Sequence, residues 1–267
     1  MSENGFVFPK LYTEFAKYYD RLESQYRDYP REAEWLRHIL DENGSRKIID
    51  ISCGTGSHLV NLLKQGAEQR EFFGIDASKQ MVLLAREKLL SETGKSISLA
   101  RADFLHPPFQ RDSFDAVLCL YWSLAGLNEN LVRRLLFGIG SILKKNGVLV
   151  LDTENAEGIK ESLLNVPFID SFFPVADSSG NEDMILIRAN FSTKIAPDLV
   201  DWHAYYLLEQ GGVSELQNDR MNLRFYSRRQ LESLLGETGF KVIDVLSGPF
   251  EKYRENSPSL YFVARKE

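Results

Sequence analysis

Apolar residues along this chain follow two rhythms, and the change between them divides it. From 46 to 153, short apolar runs alternate with stretches whose apolar residues recur every three or four positions. The runs are 47–51, 71–76, 97–99, 114–121 and 148–152. Between them, Leu59, Val60, Leu62 and Leu63 fall on one helical face. So do Met81, Val82, Leu84, Ala85 and Leu89, with Ser78 placed as N-cap, and Leu131, Leu135, Ile139, Ile142 and Leu143 after Asn128. Nearly continuous apolar strands separated by amphipathic helices predict a parallel sheet covered on both faces.

After 153 the rhythm changes. Residues 154–183 hold Pro167, Pro174 and Gly180 and read as irregular. Three longer β-type runs follow, 184–194, 199–210 and 213–226. Ala196-Pro197-Asp198 and Gly211-Gly212 separate them, which predicts an antiparallel meander. Ser227 and Gln230 make a capping box ahead of Leu231, Leu234 and Leu235, and Gly239 stops that helix. Residues 241–246 and 260–264 are two final strands. Ahead of the first strand, Leu11, Phe15, Tyr18, Tyr19 and Leu22 predict an aromatic-faced helix over 11–22, and a second helix fits 31–40. The expected organisation has three parts. A helical lid spans 1–45, and an α/β core spans 46–153 and 225–267. A three-stranded antiparallel lid, 154–224, is inserted after the fifth strand. The core is expected to be a Rossmann-like, doubly wound, mostly parallel sheet with an antiparallel last strand.

Composition narrows the setting. A chain of 267 residues, 43% hydrophobic, can bury a core without staples. Its two cysteines, Cys53 and Cys119, have no close Cys partner, which disfavours a disulfide framework and suits a reducing, cytoplasmic setting. The first twenty residues carry acids and do not read as a signal peptide, and no apolar run approaches the ~20 residues that cross a bilayer. A net charge of -6 lends no support to nucleic-acid affinity.

The candidate chemistry begins where the first strand ends. Asp50 closes an apolar strand, Ser52-Cys53-Gly54-Thr55-Gly56 follows, and a helix starts. Strand, glycine loop and helix form a ligand-binding turn, in which backbone N–H groups approach a ligand unobstructed by a Cβ. A dinucleotide fingerprint would need a third glycine where Leu59 stands, and an acid at Asp50 would repel a pyrophosphate. A cationic ligand is favoured instead. S-adenosylmethionine has that character, with a sulfonium and an ammonium beside a carboxylate.

Six segments, in order, resemble the class I S-adenosylmethionine-dependent methyltransferases. They are 50–56, 73–78 (Phe-Gly-Ile-Asp-Ala-Ser), 101–104 (Arg-Ala-Asp-Phe), 114–117 (Phe-Asp-Ala-Val), 143–150 around Gly147, and 225–240 ending in Gly239-Phe240. Ser52 stands where the family often has Gly or Ala. The resemblance implies cofactor contacts at Asp50, Ser52, Gly54 and Gly56, with Asp50 toward the ammonium. It implies ribose contacts at Asp76 with Ala77 and Met81 beside it. Ala102, Asp103 and Phe104 would bracket the adenine, with Leu120 at the end of the fourth strand. Tyr18 and Tyr19 would close over the cofactor from the N-terminal helix.

Methyl transfer is an in-line displacement in which the protein mainly supplies alignment, worth ~7–11 kcal/mol of barrier. A nitrogen or oxygen acceptor must lose a proton before or after attack, and Tyr121, Glu154 and His203 are the candidate bases. No metal is expected. Tyr121-Trp122-Ser123 lacks the acid that metal-dependent O-methyltransferases place there, and no cluster of carboxylates suggests a metal site. His106-Pro-Pro-Phe109 resembles the Pro-Pro motif of nucleobase amino-methyltransferases, but it has His first and lies before the fourth strand, not at its end, so it reads as a rigid loop. The inserted lid is similar to that of small-molecule N-methyltransferases of the glycine and amino-sugar types. Trp122, Trp202, Tyr205, Tyr206 and Arg224 are candidate walls of an acceptor pocket, with Arg188 and Arg224 available to an acidic acceptor. The expected partner is a small-molecule acceptor, with N ahead of O, and the expected state is a monomer or homodimer. Two alternatives remain open. One is a methyltransferase for tRNA or protein, which needs a basic or grooved face. The other is a cofactor-binding protein without catalysis.

Overall fold

The computed structural model describes residues 9–24, 26–67, 69–121, 123–159, 168–176, 182–196 and 198–267. Its strands are β1 (Lys47–Asp50), β2 (Glu71–Asp76), β3 (Ser98–Arg101), β4 (Phe114–Cys119), β5 (Leu143–Glu154), β6 (Phe168–Ala176), β7 (Glu182–Ala196), β8 (Leu199–Gln210), β9 (Val213–Arg224), β10 (Phe240–Gly248), β11 (Glu251–Lys252) and β12 (Ser259–Lys266). Its α-helices are α1 (Tyr19–Glu23), α2 (Tyr29–Glu42), α3 (Ser57–Lys64), α4 (Lys79–Thr93), α5 (Glu129–Ile142) and α6 (Arg228–Glu237). Among the described residues no helix is long and apolar enough to cross a membrane.

The central sheet has the order β11-β10-β12-β5-β4-β1-β2-β3. β1 runs parallel to β2 and β4, and β5 runs parallel to β4. β12 is antiparallel to both of its neighbours, β5 and β10. Successive residues of a strand face opposite ways, so the sheet makes two cores. Ile49, Ile75, Val117 and Leu149 pack against α5 and α6. Ile48, Phe72, Ala116 and Val150 pack against α2, α3 and α4. Helix starts are set by local capping. The Ser78 hydroxyl accepts the Met81 N–H at 3.3 Å and Asn128 accepts that of Leu131 at 3.1 Å, while Ser227 and Gln230 close their box.

A separate antiparallel sheet has the order β6-β7-β8-β9. It has four strands where the sequence rhythm predicts three. The extra strand, β6, holds Pro174, which cannot donate to a ladder. β6 is outermost and pairs with β7 alone, a place that tolerates proline.

The N-terminal segment departs further from expectation. The predicted helix over 11–22 is broken into a 3-10 turn at Lys10–Tyr12, a second at Ala16–Tyr18, and α1. Thr13, at φ −128° and ψ −90°, interrupts it. A β-branched residue among aromatics has low helix propensity, and tertiary contacts decide the path instead. Phe15 packs on Tyr206 of β8 with ring centres 4.9 Å apart. Leu11, Tyr18, Tyr19 and Leu22 join Met81 of α4 and Ala204 and Leu208 of β8 in one cluster. The segment is thus fastened between the core and the second sheet.

Candidate active site

The glycine loop joins β1 to α3 at the carboxyl edge of the parallel strands. Gly54 and Gly56 both take left-handed backbone angles, φ 52° and 78°. A Cβ on Gly56 would stand 3.2 Å from the Cβ of Ala85, so the loop lies against α4. A Cβ on Gly54 would meet nothing within 4 Å, so this face of the loop is open. Asp76, at the end of β2, accepts the Gly54 N–H at 2.9 Å and the Ser78 N–H at 2.8 Å. One carboxylate therefore ties the loop to the start of α4.

Asp50 is buried, and its one hydrogen bond among the described residues is a long one from the Ser52 N–H, 3.4 Å. Burial pushes its carboxyl up to about 6, against the nearby His58. Burial also raises Asp76, against the pull of the Ser78 and Gly54 amides. A buried acid and a half-buried one beside an open loop leave the site short of positive charge, and a cation bound there would lower the cost of ionising them. The Ser52 hydroxyl bonds that of Ser123. The Ala102 N–H donates to the Asp76 carbonyl at 3.0 Å, and Ala102 and Phe104 pack against the core. Asp103 serves its own turn, accepting the Leu105 N–H at 2.9 Å and facing His106 at 3.0 Å. Met81 and Leu120 are buried below the site, and Ala77 accepts a hydrogen bond from Arg101.

A second group of residues gathers at the ends of β4 and β5. Tyr121 is a non-glycine residue in the left-handed region, φ 56°, and the Asp152 carboxylate holds its N–H. Its hydroxyl donates to Glu23 of α1, whose other oxygen pairs with Arg188 of β7 at 3.1 Å. Burial, then the Glu23 charge, drives the phenol far above its ordinary value, so Tyr121 keeps its proton at neutral pH and acts as a donor. Arg27 bonds Asp152 at 2.8 Å and Glu32 at 2.6 Å, and its guanidinium lies 4.6 Å over the Tyr121 ring. Glu32 meets His58 Nε2 at 2.7 Å. Burial opposes ionisation of Glu32, but His58 and Arg27 hold it below its ordinary value. A polar chain thus runs from α3 beside the glycine loop to β7 of the second sheet.

These groups border a cavity of about 340 Å³ between the N-terminal segment, the ends of β4 and β5, and one face of the second sheet. Tyr12, Glu23, Tyr121, Glu154, Arg188 and Trp202 are among its walls. Alternation along β8 decides which candidates reach it. Trp202 lines it, whereas His203 lies on the opposite face, 3.1 Å from Asp201 and stacked near Tyr205. His203 is therefore not brought to the site, and neither is Tyr205. Arg224 pairs with Asp198 outside the cavity, and Tyr206 is spent on Phe15. Trp122 lies outside the described residues. The spacing arguments missed Glu23, Arg27, Glu32 and His58. Their roles arise from contacts between distant segments, although Asp152, an acid ending an apolar strand, carried the same signal as Asp50 and Asp76.

Residues 48–147 match the family model described as a methyltransferase domain. The chain is 27% identical over 265 residues to a glycine/sarcosine N-methyltransferase of Parasynechococcus marenigrum, covering 95% of this chain and 83% of that one. It is 26% identical over 262 residues to a putative methyltransferase of Bacillus subtilis, covering 96% and 97%. Among solved structures, an S-adenosylmethionine-dependent methyltransferase from Clostridium acetobutylicum superposes with TM-score 0.78 at 19% identity, covering 96% and 98%. The sugar N-methyltransferase KedS8 from a Streptoalloteichus species gives 0.75 at 23%, covering 100% and 97%. The structural likenesses speak to the fold; the family match spans the loop and strands that bear Asp50, Gly54, Gly56 and Asp76. On that ground residues 48–147 carry a methyltransferase domain, and the protein is an S-adenosylmethionine-dependent methyltransferase.

Proposed function

We propose that the protein methylates the nitrogen of a small amine-bearing metabolite held in the cavity between the N-terminal segment and the second sheet. The observation that carries this reading is the cavity itself. Its about 340 Å³ suits a metabolite, and charged groups of both signs line it. The glycine/sarcosine relative acts, by its name, on an amine that sits beside a carboxylate. Arg188 suits such a carboxylate, and Glu23 and Glu154 suit an amine that gains positive charge as it is methylated.

The residues around the loop fit the cofactor. Asp50 is a buried acid in want of a cation and would take the ammonium, directly or through water. Asp76 keeps acceptor capacity beyond its two amide bonds and would take the ribose hydroxyls. Gly54 and Gly56 would let the loop approach, with Ser52, Ala77 and Met81 beside them, and Ala102, Asp103, Phe104 and Leu120 would border the adenine. Tyr18 and Tyr19 would close from the N-terminal segment. The bound cofactor supplies a methyl group already activated by its sulfonium. The chain's own part is to align the acceptor, exclude water and hold charge. Tyr121 keeps its proton and fixes Glu23, leaving Glu154 and Glu23 as the carboxylates toward which the acceptor's proton can move. Both cysteines are buried and unpaired, which supports a reducing, cytoplasmic setting, with the protein working as a monomer or homodimer and without nucleic acid.

The test is S-adenosylhomocysteine release with glycine, sarcosine, dimethylglycine, amino sugars, bulk tRNA and a protein extract. Turnover is expected with a small amine. If that amine carries a carboxylate, Arg188→Met should raise its KM by about tenfold or more. Methyl incorporation only into RNA or protein would overturn the proposal.

A further inference from the structure

Lys88 lies outside the cavity and outside the six segments that resemble the family. It sits on α4, seven residues past Met81 and three past Ala85, on the stripe that faces the glycine loop. Its side chain is only 15% exposed. The ammonium donates to the Thr55 and Ser57 hydroxyls, each at 2.9 Å, and pairs with the Asp20 carboxylate at 2.5 Å. Asp20 in turn accepts from Thr55 Oγ1 at 2.5 Å and Ser57 Oγ at 3.3 Å. The four groups satisfy one another, so the Asp20 carboxylate already fills the place an external anion would take.

The position of this cluster is what gives it meaning. Thr55 is the single residue between Gly54 and Gly56, and so the one place where a side chain can grip the middle of the loop. Glycines give a loop wide freedom, and ordering it at the moment of binding costs affinity. Asp76 holds the loop from one side through the Gly54 N–H. Lys88 and Asp20 hold it from the other. Asp20 also belongs to α1, directly after Tyr18 and Tyr19 and one turn before Glu23, which reaches into the cavity. The same ring of bonds therefore fastens the N-terminal segment onto the loop.

We propose that Lys88 is a positioning residue for the cofactor. Acting through Asp20, Thr55 and Ser57, it keeps the glycine loop in its binding conformation and clasps the N-terminal segment over it, and so governs how fast the cofactor leaves. The inference requires cofactor binding but does not depend on which acceptor is methylated.

The test follows S-adenosylhomocysteine binding and release by stopped-flow fluorescence, on the full chain. The proteins are wild type, Lys88→Met, Lys88→Arg, Asp20→Asn and the Lys88→Met/Asp20→Asn double variant. Thermal midpoints and amide exchange over residues 10–24 are recorded alongside. Lys88→Met and Asp20→Asn should each release the ligand about tenfold faster, with association changed less. The double variant should be no worse than the poorer single one, because both remove the same contact. Lys88→Arg should restore most of the retention. Exchange over 10–24 should quicken in Lys88→Met while the strands of the sheet stay protected. Release rates within about twofold of wild type in the folded variants, or additive effects in the double variant, would overturn the proposal. If Lys88→Met does not fold, Asp20→Asn decides, since its carboxylate is 40% exposed and the change conserves shape. A wild type that does not bind the ligand at all would also refute it, while turnover with an acceptor would be judged separately.

Discussion

Asp50 shows how much one residue can state about a ligand before any ligand is seen. Its carboxyl is raised from 3.8 to about 6 by burial, with little to offset the cost. An acid that binds its proton more tightly when folded stabilises the fold fully below its unfolded value. That contribution is lost as pH rises through the folded value. The ligand-free protein should thus lose stability from Asp50 between 3.8 and about 6. A bound ammonium reverses the sign, because it favours the ionised acid. S-adenosylhomocysteine should therefore raise the thermal midpoint more at pH ~7 than at pH ~5, and Asp50→Asn should flatten that difference while lowering affinity. A ligand-induced shift that does not vary with pH in wild type would count against this role. Asp76 is raised in the same direction, so Asp50→Asn is needed to isolate the effect. At this scale the acids beside the glycine loop were legible and the cavity's charged walls were not. An acid closing an apolar run stands out in a sequence, and Asp50 and Asp76 both do. Glu23 does not, because one more acid on an exposed-looking helix carries no mark of the tyrosine and arginine that meet it.

The elements obey the same division. The alternation of β1 to β5 with α3 to α5 follows from apolar spacing, and the helices begin at Ser78, Asn128 and Ser227 because those side chains bond amides within their own first turn. Local chemistry of this kind is written in adjacent residues. The N-terminal segment is the counterexample. Its apolar spacing is helical, but Phe15, Tyr18 and Tyr19 find partners on α4 and β8, and those contacts override the period. β6 was missed for a related reason, since Pro174 forbids an inner strand but not an edge. The loop between β1 and α3 offers a test of element geometry. Gly56 is left-handed and close to Ala85, so Gly56→Val should cost about 1–3 kcal/mol in urea unfolding and abolish tight cofactor binding. Gly54→Ala faces open space, so it should cost less stability while still impairing binding, as calorimetry would show. Equal losses of stability at the two positions would contradict this account.

At the scale of the whole molecule, three parts meet at one aromatic cluster. The N-terminal segment, α4 and the second sheet share Phe15, Tyr19, Met81 and Tyr206. The two sheets are thereby joined through a short irregular strap, while each keeps its own hydrogen bonding. Removing the Phe15 ring should weaken the strap by about 3 kcal/mol without unravelling the central sheet. Limited proteolysis of Phe15→Ala should cut within residues 9–24 at temperatures where wild type resists, with a smaller change in the melting of the core. A concerted fall of both would show that the strap and core unfold as one unit. Cavity and strap are products of this long-range assembly, which is why no single stretch of sequence displays them.

The placement of β12 has a consequence in time. Residues Ser259 to Arg265 pair with Glu154 to Val148, and the intervening chain must be made before they can arrive. During synthesis β5 emerges early, with Leu149, Val150 and Leu151 in a strand whose outer row of amides and carbonyls has no partner. Pairings across so many residues form slowly. A nascent or interrupted chain that stops short of 259 therefore presents a bare, apolar edge at the middle of what will become the sheet, open to any other strand it meets.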